Sequence, residues 1–380
     1  MKEKQILFIS HDGNRAGAQL FLLEVVRYFQ KQGHSCHVLF LGNGILVDEF
    51  AQYATTYIWQ SGRVKTSFFR QLRKPTNQDA LTKLRFDWVY VNTIAASPVV
   101  SWLKTWNNAP VVAHIHELHY SISMYSTVEN RHQLFQHANR IIACAESVQE
   151  NLLVSNNVPR EKLVTVHSFV NNEQVLKRIE ETNRAEIRQE FGISDSSFCI
   201  VSCGNAEWRK GIDLFLQVAA QHANEKNNLP FLFIWVGMPQ EGILWEQVLY
   251  DVKRLGLASI CLFIPPIPKA IELISSMDIF LLPSREDPFP LVMLEAALAK
   301  KPIIGFENTG GCAEFVEKDA GITVPYANTQ AMYQEIKNLY QSPDLARTLA
   351  QNAKNKVRTR YTYDTSMRKI EQLMLEMTHS

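Results

Sequence analysis

Short, nearly continuous apolar runs recur along this chain, each followed by a segment of helical periodicity, and that alternation limits the fold more than any other feature. A strand with no polar face needs cover on both sides, which is the condition of a parallel sheet sandwiched between helices. The spacing predicts strands over 5–10, 35–41, 56–59, 87–93, 110–116, 140–146 and 163–170. Helical patterns fall between them over 18–32, 97–106 and 147–154. From 171 to about 197 the chain turns polar and charged with no strand, then the alternation resumes over 198–341. The fold class is therefore α/β, with two doubly wound domains facing a cleft. A length of 380 residues agrees, since one core rarely serves that many.

The expected boundaries are 1–172 for the first domain and 173–357 for the second, whose residues 173–197 form a connecting helix. Residues 358–380 are expected to make one amphipathic helix that packs back on the first domain.

Charge and cysteines narrow the function classes. The net charge is only +1, and nothing in the pattern points to nucleic acid. The six cysteines lie mostly in apolar runs without a C-x-x-C pair, as free thiols in a reducing compartment do. No signal-like segment opens the chain and no apolar stretch is long enough to span a bilayer. The expectation is a cytoplasmic protein, with peripheral contact at the inner face of the membrane through 61–74. That stretch carries Arg63, Lys65, Arg70, Arg73 and Lys74 beside Phe68 and Phe69, and no acid. Such a helix suits anionic lipid, and it equally suits a solvated surface.

The densest chemistry lies in Ser284-Arg285-Glu286-Asp287-Pro288-Phe289-Pro290-Leu291, between an apolar strand and a helix running to Ala299. Asp287 and Glu295 bracket that strand-to-helix turn. First-turn amides and the positive end of a helix dipole favour an anion, and flanking carboxylates accept hydrogen bonds from hydroxyls. An anion pocket with hydroxyl acceptors suits a sugar joined to a phosphate. Arg209 and Lys210 end the turn after the first strand of the second domain, where a fork and a point charge suit a diphosphate.

Gly13 and Gly17 punctuate the first strand-to-helix turn, but their spacing is not the dinucleotide fingerprint. His114 and His116 alternate at the end of a buried strand, and one is expected to point into the sheet face and the other toward the cleft. No third ligand accompanies them, so a metal pair is not expected. Asp-x-Asp is absent from the chain, which leaves protein cations and helix dipoles to neutralise a leaving diphosphate.

Taken in order, these residues resemble the retaining GT-B glycosyltransferases of family 4, the "group 1" glycosyl transferases. The resemblance rests on Gly17-Ala18, His116, Glu146-Ser147, Arg209-Lys210-Gly211, the paired acids, and Thr309-Gly310-Gly311 with Glu314. It implies two Rossmann-like domains, the first on the acceptor side and the second binding a nucleotide-sugar. It implies a glycosyltransferase that moves a sugar from a nucleotide-diphosphate sugar to the hydroxyl of a glycan, lipid or polysaccharide precursor. Transfer would proceed with retention and without metal or other cofactor, in cell-envelope or polysaccharide biosynthesis.

The resemblance also implies roles. Catalytic positions would be His116, Asp287 and Lys210. Donor-binding positions would be Gly17, Arg209, Lys210, Glu286, Phe289, Leu291, Val292 and Glu295. The family's paired acids, eight residues apart, read here as Asp287 and Glu295, with Glu286 adjacent and the first-acid role open between Glu286 and Asp287. Glu295 would take the ribose. Departures are Asn205 for the usual arginine, and Pro288 and Pro290 for glycines; proline removes two N–H donors. Prolines 265 and 266 stand where the nucleobase is read. The alternatives are a nucleotide-sugar epimerase of the same shape and a non-catalytic nucleotide-sugar-binding member.

Overall fold

A computed structural model describes residues 3–59, 80–225 and 228–377. The chain divides into two compact units, Met1–His167 with Ser366–Ser380, and Ser168–Thr365.

The first unit holds a seven-stranded sheet in the order β3-β2-β1-β4-β5-β6-β7. Its strands are β1 (Gln5–Ser10), β2 (Ser35–Phe40), β3 (Thr55–Ile58), β4 (Trp88–Asn92), β5 (Val111–Ile115), β6 (Arg140–Ala143) and β7 (Leu163–Thr165). All pairs are parallel. β4 and β5 are buried along their whole length, as strands covered on both faces must be.

The second unit holds a six-stranded parallel sheet in the order β10-β9-β8-β11-β12-β13. Its strands are β8 (Phe198–Cys203), β9 (Phe231–Val236), β10 (Cys261–Ile264), β11 (Ile279–Leu282), β12 (Ile303–Phe306) and β13 (Ile322–Val324). In both sheets the order reverses once, between β1 and β4 and between β8 and β11. In open α/β sheets ligands bind at the strand C-termini beside such a reversal.

Two local expectations change. The connecting segment is two helices, Asn172–Glu180 and Arg184–Glu190, each opened by an asparagine cap. Asn171 Oδ1 accepts from Gln174 N–H, and Asn183 Oδ1 from Ala185 N–H. The second helix belongs to the unit's core: Arg188 is 1% exposed and binds Asp278 Oδ2 at 2.9 Å and the Ser276 carbonyl at 3.1 Å.

The expected tail, 358–380, holds one helix, Tyr363–Glu376, and the helix Pro343–Thr359 precedes it in the same helical run. Tyr361 breaks it by inserting its ring beside Phe289 at 5.2 Å and Phe315 at 5.4 Å. Thr362 Oγ1 then caps the next helix by accepting from Thr365 N–H at 3.2 Å. In the first unit the last helix bonds through Glu371 to Tyr28 at 2.7 Å and through Ser366 to the His167 carbonyl at 2.9 Å.

β6 and β7 also end earlier than their apolar runs. After Ala143 only two residues separate the strand from the helix Glu146–Asn156, which claims Glu146.

Candidate functional site

The reversal in the second sheet brings the ends of β8 and β11 side by side. Gly204 follows β8, and the turn closes at Gly211, whose φ is +74°. A Cβ on Gly211 would stand 2.0 Å from the Pro283 carbonyl oxygen, so glycine lets this turn press against the end of β11. Two backbone bonds fasten the turns: Arg285 N–H to the Arg209 carbonyl at 2.8 Å and Glu286 N–H to the same oxygen at 3.3 Å.

The side chains then converge. Lys210 Nζ lies 2.6 Å from Asp287 Oδ2, and Ser284 Oγ donates to that oxygen at 3.3 Å. Arg209 Nη1 lies 3.6 Å from Asp287 Oδ1 and donates to the Glu286 carbonyl at 2.9 Å. Asp287 N–H donates to the Thr309 carbonyl at 2.7 Å, and Gly311 N–H to the Pro288 carbonyl at 2.7 Å. The loops after β8, β11 and β12 thus meet at Asp287, the first through its carboxylate and the last through its backbone. The Lys210 and Asp287 side chains keep 15% and 9% exposure, so a ligand can still reach them.

Glu295 sits on the second turn of the helix Leu291–Leu298, which Pro290 opens. The residue is half-buried, its carboxyl lies inward, and among the described residues the carboxyl receives no hydrogen bond. Burial pushes it up to about 7, with Glu272 adding to the shift and Arg178 opposing it. The thiol of Cys203, at the end of β8, is pushed up to about 12 by burial and by Glu295, with Lys210 opposing. Both charges therefore act at the same strand end. Leu291 and Val292 lie half-buried in the first helical turn, where N–H groups have no carbonyl four residues back within the helix. The side chain of Phe289 is core, 5% exposed and packed on Tyr361.

The first unit gathers a second polar cluster at the ends of β1, β4 and β5. Gly17 opens the helix Gly17–Lys31 as expected of the glycine turn. His11 Nδ1 pairs with Thr93 Oγ1 at 2.9 Å, and Gln19 Nε2 donates to Asp12 Oδ1 at 2.5 Å. His116 Nε2 pairs with Asn92 Oδ1 at 3.0 Å, while Asn92 Nδ2 donates to the Ala18 carbonyl. The two histidines do not point to opposite sides. His114 and His116 have ring centroids 4.0 Å apart, and both pack on Phe21. Side chains two apart on a strand share a face, which is the physical reason for the correction. Burial and the charge of His11 lower His116 to about 3, so its ring is neutral at ordinary pH.

His11, Thr93, Asn92 and Gln19 escaped sequence reasoning. Thr93 carries no signal in the sequence for its φ of +72°. His11 at the end of an apolar run was a usable signal.

Among the described residues no group of three or more His, Cys, Asp or Glu is arranged to hold a metal. None of the described helices is long and apolar enough to cross a membrane. The basic stretch 61–74 lies outside the described residues.

Two protein families match this chain: "Glycosyltransferase Family 4" over residues 15–174 and "Glycosyl transferases group 1" over residues 183–356. Between them the two matches run through both units, and over each the chain resembles glycosyltransferases. The chain is 33% identical over 156 residues to alpha-galactosylglucosyldiacylglycerol synthase of Streptococcus pneumoniae, covering 40% of each chain. It is 26% identical over 200 residues to N-acetyl-alpha-D-glucosaminyl L-malate synthase of Bacillus anthracis, covering 52% of this chain and 50% of that one. The matched stretches thus span half or less of these curated relatives. HepE of Anabaena, solved in complex with UDP and glucose, superposes with a TM-score of 0.81 at 18% identity, over 98% of this chain and 100% of that one. That likeness shows the shared GT-B fold, two Rossmann-like units each built on a parallel sheet.

The departures from the family pattern fall at identifiable places. Pro288 and Pro290 flank the buried Phe289, and the Pro288 carbonyl anchors Gly311. Arg209, one residue before Lys210, has Nη1 3.6 Å from Asp287 Oδ1.

Proposed function

We propose that this chain is a glycosyltransferase that moves a sugar from a nucleoside-diphosphate sugar to an acceptor hydroxyl, with retention and without a metal ion. The observation that carries the reading is Lys210 and Arg209 held on Asp287 at the β8/β11 reversal, with the carboxyl of Glu295 open at the same strand end. Cations beside a helix start suit a diphosphate, and a carboxylate with no hydrogen-bond donor suits ribose hydroxyls.

In the reaction the bond between the anomeric carbon and the diphosphate oxygen breaks, and an oxocarbenium-like centre forms. Lys210, Arg209 and the first-turn amides at Leu291 and Val292 stabilise the charge on the departing oxygen. The acceptor oxygen bonds to the same face of that carbon, and its proton passes to the departing phosphate. Asp287 holds Lys210 in place before the donor arrives and then turns to the transferred sugar, while Glu286 carries the backbone carbonyl that fixes Arg209. In the first unit we assign neutral His116 the part of a hydrogen-bond partner in the reaction, beside the helix that Gly17 opens.

The name of the Streptococcus relative supports a lipid-linked or glycan acceptor of the cell envelope. UDP in the Anabaena structure makes UDP-sugars the first donors to assay. The test is a thermal-shift and transfer assay with UDP-, GDP-, ADP- and dTDP-sugars. One donor should raise Tm for the native chain and fail to do so for Lys210→Ala. Transfer should survive EDTA, and NMR of the product should show the donor's anomeric configuration. Loss of transfer in EDTA, or an inverted product, overturns the corresponding part of the proposal.

A further inference from the structure

The helix Asn172–Glu180 follows directly on the first unit and carries Arg178. Its guanidinium grips Glu272 twice, through Nε at 2.8 Å and Nη2 at 2.6 Å. Nη2 also donates to the Pro268 carbonyl at 2.7 Å. Pro268 belongs to the loop that follows β10, where Pro265, Pro266 and Pro268 leave only Ile267 and Lys269 with an N–H. A loop with so few donors cannot fasten itself by its own amides. Side chains from the 172–190 segment fasten it instead: Arg178 on Pro268, and Glu190 on Lys269 at 2.6 Å.

Arg178 also acts on the open acid. The charged groups that act on Glu295 are Arg178, which favours its carboxylate, and Glu272, which opposes it; the Cys203 thiol faces it from β8. One guanidinium therefore holds the loop beside β10 and favours the charged form of the carboxyl on the neighbouring helix. The Arg178 side chain is about one-third exposed, so solvent screens part of that influence.

We propose that Arg178 is a positioning residue for the nucleoside half of the donor: it fixes the Pro265–Lys269 loop against the base and sets Glu295 to accept the ribose hydroxyls. The inference rests on the donor reading above and extends it to a residue outside the family's paired acids and basic turn. Arg178 itself need touch no ligand.

The test is calorimetry on the full chain with UDP, GDP and ADP, each beside its 2′,3′-dideoxy analogue, and with inorganic pyrophosphate. The native chain should bind one of the three diphosphates at least tenfold tighter than its dideoxy form. In Arg178→Gln that diphosphate should weaken at least tenfold, the dideoxy form, which keeps the base and lacks the hydroxyls, by a smaller factor, and pyrophosphate not at all. Arg178→Lys keeps the charge and loses the fork, so it should retain part of the ribose preference; it carries the test should the glutamine variant not fold. An undiminished ribose preference in both variants overturns the role of Arg178 alone. Equal weakening of all ligands, pyrophosphate included, overturns it too, since that is the mark of a merely structural residue. A native chain that binds no diphosphate overturns the donor reading and this inference together.

Discussion

Lys210 Nζ and Asp287 Oδ2 lie 2.6 Å apart although 77 residues separate them in the chain. The pair joins the turn after β8 to the turn after β11 and stands at the sheet's reversal. It holds the lysine aimed and mostly out of solvent before any ligand binds, which is how an electrostatic catalyst avoids reorganisation at the moment of reaction.

Replacing Lys210 with Ala should therefore lower kcat by about a hundredfold or more, the loss typical of one missing transition-state cation or donor. KM should change less, because the charge grows as the diphosphate leaves. Asp287→Asn removes the partner instead, and should cost about 1–3 kcal/mol of stability by leaving Lys210 unpaired in a mostly buried place. Steady-state kinetics and chemical denaturation separate the two effects. A Lys210→Ala enzyme with unchanged kcat would refute the assignment.

Gly211 should tolerate no side chain. Its φ of +74° and the 2.0 Å approach of a Cβ to the Pro283 oxygen both oppose alanine. Gly211→Ala should lose about 1–3 kcal/mol and displace Lys210 from Asp287. Gly192, with φ +66° and open space around its Cβ site, is the control: alanine there meets the same backbone strain without the clash, so it should cost less. Urea midpoints of the two variants compare them directly.

Much of this architecture is legible in the residues. The apolar runs of β1, β8 and β9 mark their strands to within a residue or two, because a strand buried on both faces leaves no polar position to blur its edges. Arg209, Lys210, Asp287 and Glu295 are each visible as motif positions. Their pairing is not, because it depends on which strand neighbours β8. The break at Tyr361 is hidden for the same reason: its cause is two rings, Phe289 and Phe315, distant in the chain. The short helix Gly311–Val316 has too few turns to show a period. Arg178 reads as one charge among many in a polar segment, and only its bonds to Glu272 and to the Pro268 carbonyl, both distant in the chain, set it apart.

His116 should act as a neutral ring. With its folded pKa lowered to about 3, below the ordinary 6.5, the unfolded chain binds the extra proton between those values. The folded state should lose stability as pH falls from about 6.5 toward 3, and His114, lowered by burial in the same sense, adds to the loss. His116→Ala should slow transfer while weakening this acid sensitivity, measured as Tm against pH. A native Tm that is flat over that window would contradict a buried neutral pair.

Glu295 should give donor binding the opposite pH signature. Its folded pKa of about 7 lies above the ordinary 4.5, so the folded state holds the extra proton between those values. The group's contribution to stability is complete below 4.5 and is lost as pH rises through 7. Ribose hydroxyls need the carboxylate as acceptor, so donor affinity should rise as pH climbs from 6 to 8 while the empty protein gains nothing in Tm from this group. Glu295→Gln should remove both trends, leaving weak donor binding that does not vary with pH over that range. Calorimetric Kd values at pH 6, 7 and 8, native against variant, decide it: if the native chain and Glu295→Gln show the same pH trend, the ionisation of Glu295 does not govern the donor's ribose.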